Sequence, residues 1–252
     1  MLSHMEVESG PDGTLLPLEH IGRTRAGSEK GSAESEWTAS PLSRLASSSG
    51  WRAFKRCVDL ALGLVLVSVT LPLMMAIVLA IKFESPGPVF FVHRRIGKGS
   101  TEFGLIKFRT MIVDAQRSLE MYLKANPDQM VEWNERYKLR NDPRITRVGR
   151  FLRKSSLDEL PQLFNILRGD MSLVGPRAIV RQEIDRFGEY AATVLSIKPG
   201  LTGLWGVSGR NEVSQQERAR LEYQYVTKWS FLLDLWILIR TIPAVLRGHG
   251  AY

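Results

Sequence analysis

Hydrophobic and polar positions divide the chain into an irregular N-terminal stretch, one long apolar run and a mixed remainder. Residues 1–50 are rich in Ser, Gly and Glu without a hydrophobic period, which is typical of a disordered tail. Residues 60–81 contain no charged side chain, and this run is long enough to cross a bilayer core as a helix. Because soluble helices of that length usually carry a polar stripe, the pattern favours membrane contact over burial in a soluble core.

Pro72 lies near the middle of this apolar helix. It lacks the N–H that would bond the Ser68 carbonyl, and Ser68 and Thr70 are close enough in sequence to satisfy freed backbone groups. One interpretation is a kinked span; the other is a break that returns the helix to the side it entered. Basic residues on both flanks fit the second, because positive charge prefers the cytoplasmic side. These residues are Arg52, Lys55, Arg56, Lys82, Arg94, Arg95 and Lys98.

The remainder of the chain predicts mixed α and β structure. A turn at residues 85–88 precedes two predicted strands, 89–92 and 103–108, with a hairpin loop at 97–100. Helices are predicted over 111–125, over 128–139 and over 148–167 with an interruption at Pro161, and they resume at Ser214. Residues 199–210 predict a glycine-rich loop. The last helix, 229–246, is unusually apolar, but Asp234 inside it disfavours a second span and favours an interfacial or core-docked helix.

Composition narrows the class of protein. The formal net charge of +8 favours anionic partners such as lipid headgroups, nucleotide phosphates or nucleic acid. The single cysteine, Cys57, excludes an internal disulfide framework, and with four scattered histidines it does not form a zinc site. The first 30 residues lack the apolar segment of a cleavable signal peptide.

Asp158 and Glu159 form the most distinctive polar pair. Ser156 and Glu159 have the spacing of a capping box, so simple capping of a helix N-terminus is one interpretation. A single longer helix kinked at Pro161 is another. The basic neighbours favour phosphate chemistry, because arginines bind phosphate oxygens while carboxylates hold Mg²⁺ or attack phosphorus. These neighbours are Arg150, Arg153, Lys154, Arg168 and Arg177.

Several motifs in order resemble the bacterial sugar transferases, the monotopic phosphoglycosyl transferase superfamily. The central ones are Ser156-Leu-Asp-Glu-Leu-Pro-Gln-Leu-Phe-Asn165, Gly169-Asp-Met-Ser-Leu-Val-Gly-Pro-Arg177 and Lys198-Pro-Gly-Leu-Thr-Gly203. Further matches start at Ser85, Lys107 and Asp142, and the resemblance extends from about residue 51 to the C-terminus.

The resemblance implies residue roles. Asp158 is similar to the family nucleophile, and Glu159 to its partner carboxylate, which acts as a base or beside Mg²⁺. Arg153 falls at a phosphate-binding position, and Pro176 and Arg177 fall in a nucleotide-contacting motif. That motif usually ends in proline, where this chain has Ala178, and the usual Ser-Pro of the broken helix is Leu71-Pro72.

Three further cations are expected to contact the substrate: Lys107, Arg109 and Arg210. Without the resemblance, Lys107 and Arg109 are equally well explained as the exposed end of a strand. The glycines at 200, 203, 206 and 209 either form a tight loop or present backbone N–H groups to phosphates, with Lys198 and Arg210 at the loop ends.

The resemblance also implies the overall organisation. The expected fold is α+β and mostly helical, with a tail (1–50), a re-entrant, monotopic broken helix (51–84) and a cytoplasmic catalytic domain with a small β-hairpin and interfacial helices (85–252). It would use Mg²⁺ and a UDP-sugar to load polyprenyl (undecaprenyl) phosphate through an aspartyl-phosphosugar intermediate with release of UMP. The location would be the cytoplasmic face of the bacterial inner membrane, in contact with phospholipid and not nucleic acid.

Composition alone leaves one alternative function and leaves the oligomeric state open. A membrane-anchored basic adaptor that binds anionic lipid or nucleic acid would also suit the charge and the apolar segment. It would not explain the Asp158-Glu159 pair among arginines, and the chain lacks the aromatic stacking motifs of RNA-binding modules. Whether the chain forms a homo-oligomer is not decided by the sequence.

Overall fold

The computed structural model describes residues 8–9, 15–16, 49–136, 139, 141–209 and 213–246 of the 252-residue chain. Within the N-terminal tail these are two short strands, β1 (Glu8–Ser9) and β2 (Leu15–Leu16), which pair in antiparallel fashion. The remainder of the tail predicted to be disordered, up to residue 48, lies outside the described residues.

The apolar run folds as a single helix, α1 (Ser49–Glu84). The helix continues through Pro72, so the predicted break does not end it. The Thr70 hydroxyl donates to the Leu66 carbonyl at 2.7 Å, and its one proton is therefore not available to the Ser68 carbonyl that Pro72 frees. In the described part of the chain, α1 is the one helix long and apolar enough to cross a membrane, judged by length and composition.

One face of α1 packs on the rest of the protein near both ends of the helix. Asp59 is buried near the N-terminal end, and Met74, Ile77 and Ile81 are buried in the C-terminal half. The opposite face is apolar and exposed, as expected of a surface that meets lipid. It carries Leu60, Leu62, Leu64, Val65, Leu66, Val69, Leu71, Leu73, Met75, Leu79 and Phe83.

The predicted hairpin is confirmed, and its strands are longer than the predicted ranges 89–92 and 103–108. Strand β3 (Phe90–Ile96) pairs antiparallel with β4 (Glu102–Phe108), and Phe90 lies opposite Phe108. A short 3₁₀ turn, Lys98–Ser100, occupies the connecting loop. Lys107 therefore lies near the end of a strand that is paired with β3 over its full length.

Two helices follow the hairpin, α2 (Ala115–Ala125) and α3 (Pro127–Arg136). The helix predicted from residue 111 starts later, because Met111 forms a β-bridge with Ile145 instead. Buried side chains of the pair form a separate small cluster consisting of Leu119, Leu123, Trp133 and Leu139.

The predicted helix over 148–167 is three pieces: α4 (Arg147–Ser155), a 3₁₀ turn (Leu157–Glu159) and α5 (Gln162–Arg168). The first interruption falls at Ser156, which has the left-handed φ of 56°, and not at Pro161, which immediately precedes α5. The Ser156 side chain makes no capping hydrogen bond, so the capping box and the single kinked helix are both wrong.

The predicted glycine-rich loop contains regular structure. Strand β6 (Gly200–Thr202) runs parallel to β5 (Ser172–Val174), and a short helix, α7 (Leu204–Val207), follows. A Cβ on Gly200 would lie 2.1 Å from the Gly175 nitrogen, so glycine is needed for close backbone approach. The close approach of these backbones explains this glycine without a ligand.

The helices predicted to resume at Ser214 are confirmed, and the helical segments before the glycine-rich stretch were not predicted. A 3₁₀ segment (Arg181–Tyr190) leads into α6 (Ala191–Val194), and α8 (Gln215–Thr227) and α9 (Phe231–Leu246) follow the glycine-rich stretch. The outer face of α9 is exposed and apolar, with Phe231, Leu232, Leu235, Trp236, Ile239 and Ile242.

Asp234 shows why the charge inside α9 is tolerated. Its carboxylate is 7% exposed and lies inside the protein. It pairs with Lys55 of α1 and accepts hydrogen bonds from Tyr225 at 2.7 Å and Trp229 at 3.1 Å. The residue therefore joins α9 to α1, which agrees with a docked helix and not a second span.

The hydrophobic core surrounds the segment that runs from α4 to β5. Buried side chains of α5, β5, α8 and α9 form its main part, including Leu163, Ile166, Leu173, Tyr225 and Ile237. A second cluster joins Met74, Ile77 and Ile81 of α1 to Phe108 and Leu152. The turn between α4 and α5 is thus held between two packed clusters.

Candidate active site

The turn that carries Asp158 and Glu159 is fixed by the structure on either side. At the start of α4, the Glu84 carboxylate accepts hydrogen bonds from the first two helical amides at 2.7 and 3.0 Å. At its end, Ser156 adopts the left-handed conformation and redirects the chain into the 3₁₀ turn. Sequence periodicity does not reveal this interruption of the helix. The resulting turn presents both carboxylates beside strand β4.

Close contact between α4 and Thr110 places Arg153 at the site. A Cβ on Gly149 would lie 2.0 Å from the Thr110 carbonyl oxygen, so only glycine allows this approach without movement of the backbone. One turn further along α4, Arg153 Nε donates to Thr110 Oγ1 at 2.8 Å. The guanidinium is therefore oriented by a specific partner, and its positive charge acts on Asp158.

Lys107 is a cation in direct contact with the carboxylate pair. Its Nζ lies 2.8 Å from Glu159 Oε1 and 4.0 Å from Asp158 Oδ2. The Asp158 side chain is 13% exposed and the Glu159 side chain 33%. Lys107 thus lies near the end of β4 as an ion-pair partner of Asp158 and Glu159. It is therefore more than an exposed residue at the end of a strand.

Asp158 has an unusual protonation equilibrium. The pKa of its carboxyl is raised from 3.8 to about 6, mainly by burial and also by the negative charge of Glu159. The cations Lys107 and Arg153 act in the opposite direction and lower the pKa. A carboxylate that is buried, poorly solvated and still ionised near neutral pH is suited to nucleophilic attack.

Arg109 does not belong to this group, although it was expected to bind substrate. Its guanidinium donates to the Ser85 carbonyl at 2.7 Å and to the Pro86 carbonyl at 2.8 Å. The residue is 8% exposed. It therefore fastens the turn between α1 and β3, and the prediction of a substrate contact through this guanidinium is not supported.

Pro176 and Arg177 lie in a second polar cluster. Pro176 is buried, and the backbone N–H of Arg177 donates to Glu222 Oε1 at 3.0 Å. The Arg177 and Arg218 guanidinium carbons each lie 4.9 Å from the centre of the Trp205 ring. In the described part of the chain, no hydrogen bond or ion pair joins Arg177 to Asp158.

Trp205, Arg218 and Glu222 were not predicted as site residues. Burial raises the pKa of Glu222 to about 7, and its hydrogen bond to Arg177 together with the charge of Arg218 lowers it. Buried polar atoms of this cluster have no hydrogen-bond partner among the described residues, namely Arg177 Nε, Trp205 Nε1, Arg218 Nε and Nη2, and Glu222 Oε2. The spacing of Arg218 and Glu222, one turn apart on a helix, was the available signal.

The remaining predicted cation, Arg210, lies outside the described residues. At the other end of the glycine-rich stretch, burial lowers the pKa of Lys198, and the positive charge of Arg56 adds to that effect. The described interactions of Lys198 thus include another cation, Arg56, and do not include the turn that carries Asp158.

The donor set at the turn fits one hard divalent cation. Asp158 and Glu159 provide adjacent carboxylates, and Mg²⁺ commonly takes one or two carboxylates together with phosphate oxygens and water. Within the described residues, no group of three or more Asp, Glu, His or Cys side chains could hold a metal without such outside ligands. The pair therefore suits Mg²⁺ bound together with a phosphate substrate, and does not suit a metal cage of protein ligands.

Comparison with known proteins identifies the family. The model of the family described as bacterial sugar transferase matches residues 50–248. The chain is 47% identical over 198 residues to the exopolysaccharide production protein ExoY of Rhizobium meliloti, covering 79% of this chain and 88% of that protein.

Two other relatives carry more explicit names. The undecaprenyl-phosphate galactose phosphotransferase of Salmonella typhimurium is 44% identical over 201 residues, which is 80% of this chain and 42% of that protein. The UDP-glucose:undecaprenyl-phosphate glucose-1-phosphate transferase of Caulobacter vibrioides is 40% identical over 207 residues, with 79% and 72% covered. The chain therefore belongs to the bacterial sugar transferase family.

Proposed function

We propose that this sugar transferase moves a sugar 1-phosphate from a UDP-sugar to undecaprenyl phosphate, the first membrane step of polysaccharide or glycoconjugate synthesis. The observation that carries the proposal is the buried Asp158 carboxylate beside Lys107 and Arg153. The names of the Salmonella and Caulobacter relatives describe transfer to undecaprenyl phosphate. An acid flanked by cations is the arrangement that attack on a charged phosphate requires.

In the first step, an oxygen of the Asp158 carboxylate attacks the phosphorus that bears the sugar. The bond from that phosphorus to the bridging oxygen of the diphosphate breaks, and UMP leaves with the electron pair. The product on the enzyme is an aspartyl-phosphosugar. No proton is transferred, because the charge of the carboxylate passes to the departing UMP.

In the second step, an oxygen of the polyprenyl phosphate dianion attacks the same phosphorus. The acyl–phosphate bond breaks and restores the Asp158 carboxylate, while the sugar leaves as polyprenyl diphosphate sugar. A phosphoanhydride is cleaved and another is formed in the whole reaction. Catalysis therefore depends on positioning and neutralisation of charge more than on a large driving force.

Each residue of the site has a role in this scheme. Lys107 and Arg153 neutralise charge that develops on the transferred phosphate, and Glu159 orients Lys107 through the 2.8 Å contact. Mg²⁺, held by Asp158 or Glu159 with the substrate phosphates, would supply further charge neutralisation when bound. Arg177, supported by Glu222, is assigned to the nucleotide part of the donor.

The packing of α1 supports a monotopic, re-entrant placement. Near its N-terminal end Lys55 pairs with Asp234, and at its C-terminal end Glu84 holds the start of α4. The same folded body, α4 through α9, therefore contacts both ends of the apolar helix. Because a straight span would separate those ends across the bilayer, this packing favours a location of both ends on the cytoplasmic face of the inner membrane, where UDP-sugars are made.

A basic adaptor, the alternative from composition, has no observation in its favour here. Membership in a transferase family and the raised pKa of Asp158 are both unexplained by an adaptor. The fold offers no argument for nucleic acid as the partner.

The proposal is tested by detecting the covalent intermediate. Purified enzyme incubated with a panel of UDP-sugars and Mg²⁺, but without lipid acceptor, should release one UMP per active site with the correct sugar. The peptide that contains Asp158 should gain the mass of one phosphosugar. Addition of undecaprenyl phosphate should discharge the adduct and restore the original mass.

Two variants make the result specific. Asp158→Asn should abolish the adduct and lower turnover by several orders of magnitude. Asp185→Asn removes an exposed carboxyl of the same size and should behave like the unchanged enzyme. Full turnover in Asp158→Asn, or an adduct on a different residue, would disprove Asp158 as the nucleophile.

A further inference from the structure

An apolar groove lies between the C-terminal half of α1 and the start of α4. Its volume is about 450 Å³, within the range of roughly 300–1,000 Å³ that small-molecule sites occupy. The groove is open on one side, where it continues into the exposed apolar face of α1. It is lined by Ala76, Ile77, Ala80, Arg147, Val148, Phe151 and Leu152.

The α4 side of the groove has an exposed stripe that combines cations with one aromatic ring. Arg147, Arg150, Phe151 and Lys154 are all exposed, and their spacing of three and four residues places them on one face of the helix. Phe151 is 63% exposed, so a large apolar ring faces outward beside these cations. Within the described residues, no acidic side chain forms an ion pair with the side chains of Arg147, Arg150 or Lys154, although the Glu84 carboxylate accepts a hydrogen bond from the Arg147 backbone N–H.

An amphiphile with an anionic head and an apolar chain matches both features together. The cations of α4 complement a phosphate, while the alanines and Phe151 offer apolar surface next to the lipid-facing side of α1. Neither the cations nor the apolar surface alone would specify such a ligand. Because they lie side by side on two neighbouring helices, together they do specify it.

One wall of the groove is the helix that leads to the reacting group. α4 rises about 1.5 Å per residue, so the end of the helix lies about 6 Å beyond Phe151 along its axis. The 3₁₀ turn with Asp158 follows immediately after that end. A chain that lies in the groove can therefore bring a head group along Arg150 and Lys154 to the nucleophile.

We propose that this groove binds the part of the polyprenyl phosphate acceptor nearest to its phosphate, with Phe151, Ala76 and Ala80 against the isoprenoid chain and the α4 cations guiding the phosphate. The proposal rests on the proposed function, since the acceptor is that of the second step. The groove holds only part of a long polyprenyl chain, and the remainder extends into the bilayer beside α1.

The test fills the groove and separates the two half-reactions. Ala80→Phe places a ring in the groove, while the control Leu79→Phe adds a ring on the neighbouring, exposed side of α1. Ala80→Phe should still release UMP from the donor in the absence of acceptor, but its KM for undecaprenyl phosphate should rise about tenfold. Leu79→Phe should leave both measurements unchanged.

A second variant keeps the test decisive if Ala80→Phe does not fold. Phe151→Ser removes an exposed ring, so it should fold normally and should also raise the KM for the acceptor without loss of UMP release. If neither Ala80→Phe nor Phe151→Ser changes that KM, or if Leu79→Phe changes it equally, the groove is not the acceptor site.

Direct binding gives a readout that does not require turnover. A polyprenyl phosphate with a photoreactive group near its phosphate should label peptides from residues 76–80 and 147–152, and unlabelled undecaprenyl phosphate should compete. Equal competition by phosphatidylglycerol would show a general phospholipid groove and overturn the proposal. Labelling at the groove without UMP release in the unchanged enzyme would instead locate the failure in the proposed reaction.

Discussion

Glu159 holds the amine of Lys107 at 2.8 Å, while Asp158 lies 4.0 Å from the same nitrogen. Lys107 lowers the pKa of Asp158 and Glu159 raises it, so neutral substitutions should shift the acidic limb of the pH profile in opposite directions. With Asp158 at about 6, the kcat/KM for UMP release should fall below that pH as the nucleophile becomes protonated.

Lys107→Met should move this limb to higher pH, and Glu159→Gln should move it to lower pH. Measurement of kcat/KM from about pH 5 to about pH 8 checks both directions in one series. Movement of both variants in the same direction would contradict the electrostatic assignment. Movement of neither would mean that a group other than Asp158 controls the limb.

Asp158→Asn should stabilise the folded protein at neutral pH while it abolishes turnover. The pKa of Asp158 is raised in the folded state, so protonation favours folding, and stability falls as pH rises from about 4 to about 6. Above that range the cost of the buried charge is on the order of 3 kcal/mol. Thermal unfolding midpoints in detergent should therefore rise for Asp158→Asn at pH 7 more than at pH 4, with Asp185→Asn as the control. A lower midpoint at pH 7 would refute this account.

Arg153→Lys keeps the positive charge and removes the planar fork. Because Arg153 Nε is the donor to Thr110, lysine cannot hold the same position, and kcat/KM should fall by about tenfold to a hundredfold. Arg117→Lys, at an exposed position of α2, is the matched change elsewhere. An undiminished rate in Arg153→Lys would show that charge alone suffices.

Removal of divalent metal should stop the reaction. Two adjacent carboxylates with no histidine or cysteine nearby favour a hard ion such as Mg²⁺. Turnover should be lost after exhaustive EDTA treatment and recover on addition of Mg²⁺, measured as UMP release. Persistent turnover in EDTA would remove the metal from the proposed chemistry.

The re-entrant placement of α1 predicts that both of its flanks are cytoplasmic. In a Cys57→Ala background, single cysteines at Ser47 and Ser100 should both resist an impermeant thiol reagent added to intact cells. Pro72→Ala restores the missing backbone bond and should bias α1 toward a straight span. Labelling at Ser47 with protection at Ser100 in the otherwise unchanged chain would prove a span and reject re-entry.

Local patterns predicted the elements whose faces are simple. The apolar residues of β3 and β4 and the apolar length of α1 and α9 were sufficient, because each of these signals lies within a single element. The break at Ser156 was missed because a left-handed serine has no distinctive pattern. Strand β6 was missed because its glycines serve a backbone contact with residue 175, which is distant in sequence.

The site was predictable in part because some of its residues are neighbours in the sequence. Asp158, Glu159 and Arg153 lie close together in sequence, and the motif resemblance added Lys107. Sequence patterns could not show that the Arg109 guanidinium, just beyond the end of β4, donates to two carbonyls of an earlier turn. Glu222 contacts residue 177 across the chain, and a single sequence contains no record of such pairing.

The long apolar helix α1 is also part of the folded core. Met74, Ile77 and Ile81 make up half of a six-residue buried cluster with Val89, Phe108 and Leu152, and Asp59 accepts hydrogen bonds from Ser172 and Leu173. Deletion of residues before 85 would therefore open the cluster beneath the strand that carries Lys107. A soluble catalytic fragment is not available by truncation, and α1 cannot be exchanged for an unrelated anchor without redesign of the enzyme's interior.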